Sequence, residues 1–79
     1  MSKRIVKLTF PQDQIKKPVT FQMAKKYDVI PNIRRAKITE TVGEMVLELD
    51  GLDKNLDKGI DYLKRLGIKV EPVVGDIVE

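Results

Sequence analysis

The sequence contains no cysteine. Disulfides, a thiolate nucleophile and iron–sulfur ligation by the chain itself are excluded. It contains no histidine either, which removes the commonest general base and the commonest transition-metal ligand. The single serine, Ser2, stands near the amino terminus, where chains order poorly, so neither a Ser-His-Asp nor a Cys-His site can be assembled. No apolar run reaches the roughly 18 residues of a membrane span, so no membrane insertion is expected. Met1-Ser2-Lys3-Arg4 leads straight into an alternating pattern, with no apolar signal region behind it. A reducing, cytoplasmic setting fits the missing cysteines. No enzyme, no cofactor and no metal site are expected.

What is present describes one small globular domain. The chain has 79 residues, 42% hydrophobic and 34% charged, with a net charge of +3. At this size a single core is barely sufficient. We read residues 1–79 as one domain with its core in about 4–74. The basic excess is too small and too mixed in sign to imply nucleic acid.

Six elements follow in the order strand, helix, strand, strand, helix, strand. Arg4 to Phe10 alternates, with Val6, Leu8 and Phe10 on one face and Ile5, Lys7 and Thr9 on the other. Pro11-Gln12-Asp13-Gln14 reads as a loop. Pro18 suits a first helical turn, and Val19, Met23 and Tyr27 recur at helical spacing, predicting a helix from Pro18 to Tyr27. A second strand is expected from Asn32 to Glu40. A hairpin at Thr41-Val42-Gly43 follows, with Gly43 free to take positive φ. Glu44 to Asp50 alternates as the third strand. Asp53 is the expected N-cap of a second helix carrying Leu56, Ile60 and Leu63 on one face. Asp61 and Arg65 form an acid-before-base pair on it, and Gly67 stops it. The fourth strand is expected from Ile68 to Val74, and the tail Gly75 to Glu79 is expected to be loose.

Two strand–helix–strand halves predict an α+β ferredoxin-like βαββαβ sandwich: an antiparallel four-stranded sheet, order 4-1-3-2, with both helices on one face. The other face is then uncovered. Its expected side chains are Ile5, Lys7, Thr9, Ile33, Arg35, Lys37, Thr39, Glu44, Val46, Glu48, Lys69, Glu71 and Val73. That face reads either as a charge-paired, solvated surface or as a partner surface with Ile5, Ile33, Val46 and Val73 at its apolar centre. It carries no aromatic on its central strands, where RNA-binding modules of this topology stack bases. Nucleic acid is therefore not expected as a partner.

Particular residues then resemble a known family. They are Lys7-Leu8-Thr9-Phe10, a Pro-initiated helix with Val19, Asp28-Val29, Asn32-Ile33 and Ile38. Gly43-Glu44 precedes the apolar strand Met45 to Leu49, and Ile60-Asp61-Tyr62-Leu63 and Gly67-Ile68-Lys69-Val70-Glu71 complete the set. From about Arg4 to Val74 the chain resembles the NIL domain, an ACT-like module named for an Asn-Ile-Leu motif. The resemblance implies a regulatory domain that binds an amino acid, as the NIL domains of methionine-importing ABC transporter ATP-binding subunits do. This chain would be a free-standing member. The motif reads Asn32-Ile33-Arg34 here, and Gln12 stands where the family has a glycine after Phe-Pro. Arg34, if inward, must pack its stem while its guanidinium finds a carboxylate or water.

The resemblance implies a small-molecule sensor that binds an amino acid, methionine or a related sulfur metabolite, in a cleft at a homodimer interface. Pro11, Gln12 and Asp13 would supply one wall and Asn32 and Ile33 the opposite one. Residue chemistry alone leaves simpler readings open. Asn32 suits a turn, Asp13 a solvated loop carboxylate, and Met23 and Met45 ordinary core. Asp57 and Asp61 lie beside lysines on a solvated helix face. The alternative function is a protein-interaction adaptor docking on a sulfur-metabolism or iron–sulfur protein partner through the open sheet face. A phosphate cradle of acylphosphatase type is not expected, because the loop after strand one lacks the arginine and glycines it needs.

Overall fold

The computed structural model describes residues 1–74. The elements are β1 (Ser2–Phe10), a three-residue 3-10 turn (Gln12–Gln14), α1 (Val19–Tyr27), β2 (Ile30–Ile38), β3 (Gly43–Gly51), α2 (Asp53–Arg65) and β4 (Lys69–Pro72). The strands form one antiparallel sheet in the order β2-β3-β1-β4. Read from the other edge this is 4-1-3-2, the expected ferredoxin-like arrangement.

The core lies between the sheet and the helices. Val6, Leu8, Leu47 and Leu49 from the central strands meet Val19 and Met23 of α1 and Leu56 and Leu63 of α2. Alternation on the strands and helical spacing on the helices put these residues on single faces. Arg4 ties the start of α2 to β1: its guanidinium donates to Asp57 at 2.7 Å and reaches Asp53 at 3.5 Å. Asp53 is thus a first-turn residue, and Leu52 holds the N-cap position that the sequence assigned to Asp53. Gly67 ends α2 with φ +86°, the left-handed conformation expected of a stop. The end of α1 uses the same conformation at Asp28, φ 56°, a residue that tolerates it better than most.

Three further expectations need correction. Gly43 does not take positive φ; the hairpin is held instead by Thr39, whose hydroxyl accepts from the Val42 N–H at 2.9 Å. Gly43 is needed for space, because a Cβ there would lie 3.0 Å from Ile15 Cγ1 and from Phe10 Cβ. Strand boundaries move: β2 starts two residues earlier and ends at Ile38, while β4 is shortened to Lys69–Pro72. Third, β2 carries a bulge. Ile33 pairs with Leu47 and Arg35 with Val46, leaving Arg34 extra. Ile33 therefore shares the helix-side face with Leu47 and is absent from the open face. Arg34 is not inward but bonds Glu48 at 3.1 Å on the open face. The expected tail, Gly75 to Glu79, lies outside the described residues.

Candidate functional site

The turn after β1 is built by backbone bonds. Gln14 N–H donates to the Pro11 carbonyl at 2.9 Å, Ile15 N–H to Gln12 at 3.3 Å and Lys17 N–H to Gln14 at 3.4 Å. Because Gly43 has no side chain, the turn settles against the start of β3. Between the turn, the first residues of α1 and the end of β2 lies a cavity of about 140 Å³. Its walls are Phe10, Ile15, Pro18, Phe21, Ile38 and Met45, with Lys17 at the rim. The Thr20 hydroxyl, also on the wall, donates to Met45 Sδ at 3.8 Å. An apolar side chain of moderate size suits such walls, with a cation nearby for an anionic group.

Gln14 is the one buried polar side chain among the described residues, 7% exposed. Its Oε1 has no hydrogen-bond partner, and no other described side-chain atom is in that position. An unmet buried acceptor costs about 1–3 kcal/mol. Sequence reading missed Gln14, because a glutamine inside Pro-Gln-Asp-Gln reads as an ordinary loop residue.

The expected site residues fall into two groups that one chain does not bring together. Pro11, Gln12 and Asp13 stand beyond the row Phe10–Gly43–Ile38. Ile33 stands on the row Val6–Leu47–Ile33, four residues down the sheet, and Asn32 one row further. At ~3.4 Å per residue the groups are separated by roughly 14 Å along the strands. Asn32 pairs with Glu48 and so lies on the open face, while Ile33 lies on the helix side.

Exposed apolar surface gathers around α1 and β2. Phe21 is 66% exposed, Ile33 55% and Ile38 47%. An open furrow of about 510 Å³ runs between α1 and β2, lined by Phe21, Ala24, Val29, Pro31 and Ile33. Beside it the charge is one-sided: from Lys16 to Lys37 there are seven cations and one carboxylate.

The open sheet face is different, because its charges are largely matched. Glu48 accepts from Lys3 at 3.2 Å and from Arg34 at 3.1 Å, joining three strands. That hydrogen bond, with the Glu48 and Asp50 charges, holds the Lys3 pKa above its ordinary value. In the strand register Lys37 stands opposite Glu44 across β2–β3, and Lys7 opposite Glu71 across β1–β4, so charges of opposite sign are neighbours there. Ile5 and Val46 are half-buried between them. No group of three or more metal-ligating side chains occurs among the described residues. Nor is any of their helices long and apolar enough to cross a membrane.

The NIL domain family matches residues 4–72. The chain is 33% identical over 75 residues to "Methionine import ATP-binding protein MetN 1" of Bacillus licheniformis, covering 90% of this chain and 22% of that protein. It is 31% identical over 78 residues to "Methionine import ATP-binding protein MetN" of Halalkalibacterium halodurans, covering 94% and 23%. Among solved structures it is similar to the C-terminal domain of an ABC transporter ATP-binding protein from Enterococcus faecalis. There the TM-score is 0.82 at 27% identity, over 92% of this chain and 86% of that one. The chain thus spans about a fifth of the length of the curated relatives it matches.

Proposed function

This chain belongs to the NIL domain family, and from that premise we propose that it is a regulatory module sensing an amino acid, methionine or a related sulfur metabolite, at an interface between two copies. The observation that carries the reading is the bare edge of β2. Ile33 and Ile38, with Phe21 of α1 beside them, leave apolar surface uncovered next to the cavity and at a sheet edge.

Antiparallel pairing of β2 with β2 of a second copy satisfies both facts at once. Such pairing lays the first half of one strand beside the last half of the other. It carries Asn32 and Ile33 of the second copy to the Ile38 end, where the cavity and the Pro11–Asp13 turn lie. The two groups of site residues, apart in one chain, then face each other across the seam. Pairing also covers Ile33, Phe21 and Ile38, surface that a small domain gains from burying.

A bound amino acid would act by favouring the paired arrangement over the single chain. The similarity to methionine import ATP-binding proteins supports methionine as the first ligand to try. The rival use, docking of a partner on the open sheet face, draws less support, since the charges there are matched and its apolar residues half-buried. Among the described residues neither that face nor the cavity gathers a catalytic constellation, and we read the chain as a binding module.

Two measurements test the reading. With millimolar methionine the wild type should show a dimer mass by light scattering and a raised melting temperature, by mass action on the native state. Ile33→Glu, at an exposed position, should leave the far-UV spectrum intact, give a monomer mass and abolish the methionine shift. A wild type that stays monomeric with and without methionine, or an Ile33→Glu variant that keeps both properties, would refute it.

A further inference from the structure

We propose that the open sheet face carries a second binding site, a pocket formed by Lys7, Arg35 and Lys37 over Val46, which takes the phosphoryl group of a small phosphate monoester. It stands apart from the amino-acid reading, and either can fail without the other.

A pocket of about 250 Å³ opens on this face, lined by Lys7 of β1, Arg35 and Lys37 of β2, and Glu44, Met45 and Val46 of β3. The strand register explains why these residues meet. Lys7 and Arg35 stand on either side of Val46 in one row, and Glu44 and Lys37 face each other two residues along. Alternation puts these five side chains on the same face. Val46, half-buried between the cations, gives the pocket an apolar floor.

Three cationic side chains therefore share a pocket with one carboxylate. Elsewhere on the face ion pairs absorb the charge: Glu48 takes Lys3 and Arg34, and Glu71 lies 3.9 Å from Lys69. Among the described residues no carboxylate comes within ion-pairing distance of Lys7 or Lys37, although Glu71 and Glu44 stand opposite them in register. Cations on the β2 edge can serve to keep sheets from joining. Lys7 has no such role, because it sits on β1, between β3 and β4.

Charge, size and floor together set the ligand class. The Cα atoms of Lys7 and Lys37 are two strand spacings and two residues apart, roughly 12 Å at ~4.8 Å per strand and ~3.4 Å per residue. Flexible four-carbon stems let both ammonium groups converge on one anion between them. Two lysine charges match a phosphate monoester, which carries about −1.5 to −2 at neutral pH. Arg35 adds a guanidinium, whose fork suits phosphate oxygens. An amino acid would bring its own ammonium among these cations, so the pocket is not a second amino-acid site. Its volume lies below the ~300–1,000 Å³ of pockets for drug-sized ligands. The organic remainder of the ester is therefore small, and it rests on Val46.

The test titrates the full chain with phenyl phosphate and with inorganic phosphate, at neutral pH and physiological ionic strength. Backbone amide shifts followed by NMR report affinity and location together. Expected is saturable, millimolar binding of phenyl phosphate, at least threefold tighter than inorganic phosphate, with shifts centred on residues 7, 35–37 and 44–46. Lys7→Ala and Lys37→Ala should each weaken it about threefold, the scale of one exposed charge contact, and the double variant about tenfold. Glu44→Gln, which removes the like charge, should tighten it about twofold. Lys54→Ala removes the same charge from an exposed position on α2 and should leave the affinity unchanged. All these side chains are exposed or half-buried, and a wild-type spread of amide signals verifies that each variant is folded.

Shifts scattered over the lysines of both helices, with Lys7→Ala weakening binding no more than Lys54→Ala, would mean unspecific attraction of an anion and overturn the site. A Glu44→Gln variant that binds more weakly than wild type would overturn it too. Inorganic phosphate binding as tightly as phenyl phosphate would overturn the ligand class. Failure of both probes to saturate would overturn the whole proposal, while a methionine-induced rise in melting temperature, recorded separately, would still stand.

Discussion

Gly59 stands in the middle of α2, where glycine costs about 1 kcal/mol relative to alanine. The reason for keeping it is the crossing with α1. A Cβ at Gly59 would lie 2.9 Å from Met23 Sδ, 3.4 Å from Met23 Cγ and 3.7 Å from Val29 Cγ2. The thioether therefore occupies the space an alanine methyl needs. Gly59→Ala gains about 1 kcal/mol of helix propensity but overpacks the contact, at about 1–3 kcal/mol. A net loss of about 0–2 kcal/mol is expected. Met23 is fully buried, so Met23→Ala should cost about 2–5 kcal/mol. With Met23 shortened, the Gly59→Ala methyl enters vacated space. It should then gain the propensity plus about 0.8 kcal/mol of burial. The double-mutant cycle should show about 2–4 kcal/mol of favourable coupling. Urea unfolding followed by far-UV circular dichroism measures all four corners. Additivity within about 0.5 kcal/mol, or a Gly59→Ala variant stabilised by the full propensity gain, would refute the close crossing.

Two further outcomes follow from single residues. Lys3 is a cation whose folded-state pKa is raised by Glu48, so its contribution is complete below the ordinary lysine value of about 10.4 and is lost as pH climbs through the raised value. The melting-temperature gap between wild type and Glu48→Gln should hold steady to about pH 10 and narrow above it, the Arg34 contact remaining; a gap that widens above pH 11 would contradict the pairing. Gly67→Ala should lower stability by about 1 kcal/mol through backbone strain alone, since Gly67 has φ +86° and the nearest atom to an added Cβ, Pro11 Cγ, is 3.9 Å away. An unchanged midpoint in urea would mean that the end of α2 relaxes into another conformation.

The elements that alternate or repeat cleanly were legible in the sequence. Val6, Leu8 and Phe10 on β1, Leu47 and Leu49 on β3, and Leu56 and Leu63 on α2 declare their faces by period, and the fold follows from packing those faces together. β2 defeated the same reasoning because a bulge is invisible to periodicity. Alternation counted through Arg34 puts Ile33 on the open face; the extra residue reverses the first half of the strand. The hydrophobic pattern could not betray the slip, since β2 is an edge strand with no residue fully buried. Asp28 was equally hidden: nothing local distinguishes an aspartate that ends a helix in the left-handed region from one in a turn. The site was half legible. The polar break after Phe10 marks the turn, but the cavity beside it is assembled from α1, β2 and β3, which no local pattern brings together.

The composition of β2 fits a pairing edge that must stay weak on its own. Pro31 removes an N–H, Arg34 bulges, and Arg34, Arg35 and Lys37 add positive charge. These are devices that keep sheet edges from joining indiscriminately. Yet Ile33 and Ile38 on the helix side stay exposed, Ile38 at the cavity and Ile33 on the furrow beside α1. In the proposed seam the two features act in opposite directions. Apolar contact draws two copies together, while like charges from two antiparallel strands oppose them. A sensor needs that near-balance, because a ligand shifts an equilibrium only by its differential affinity for the two states, and pairs already fully formed would leave it nothing to decide. The cations on β2 are therefore consistent with a dimer, provided the ligand supplies the deciding interaction.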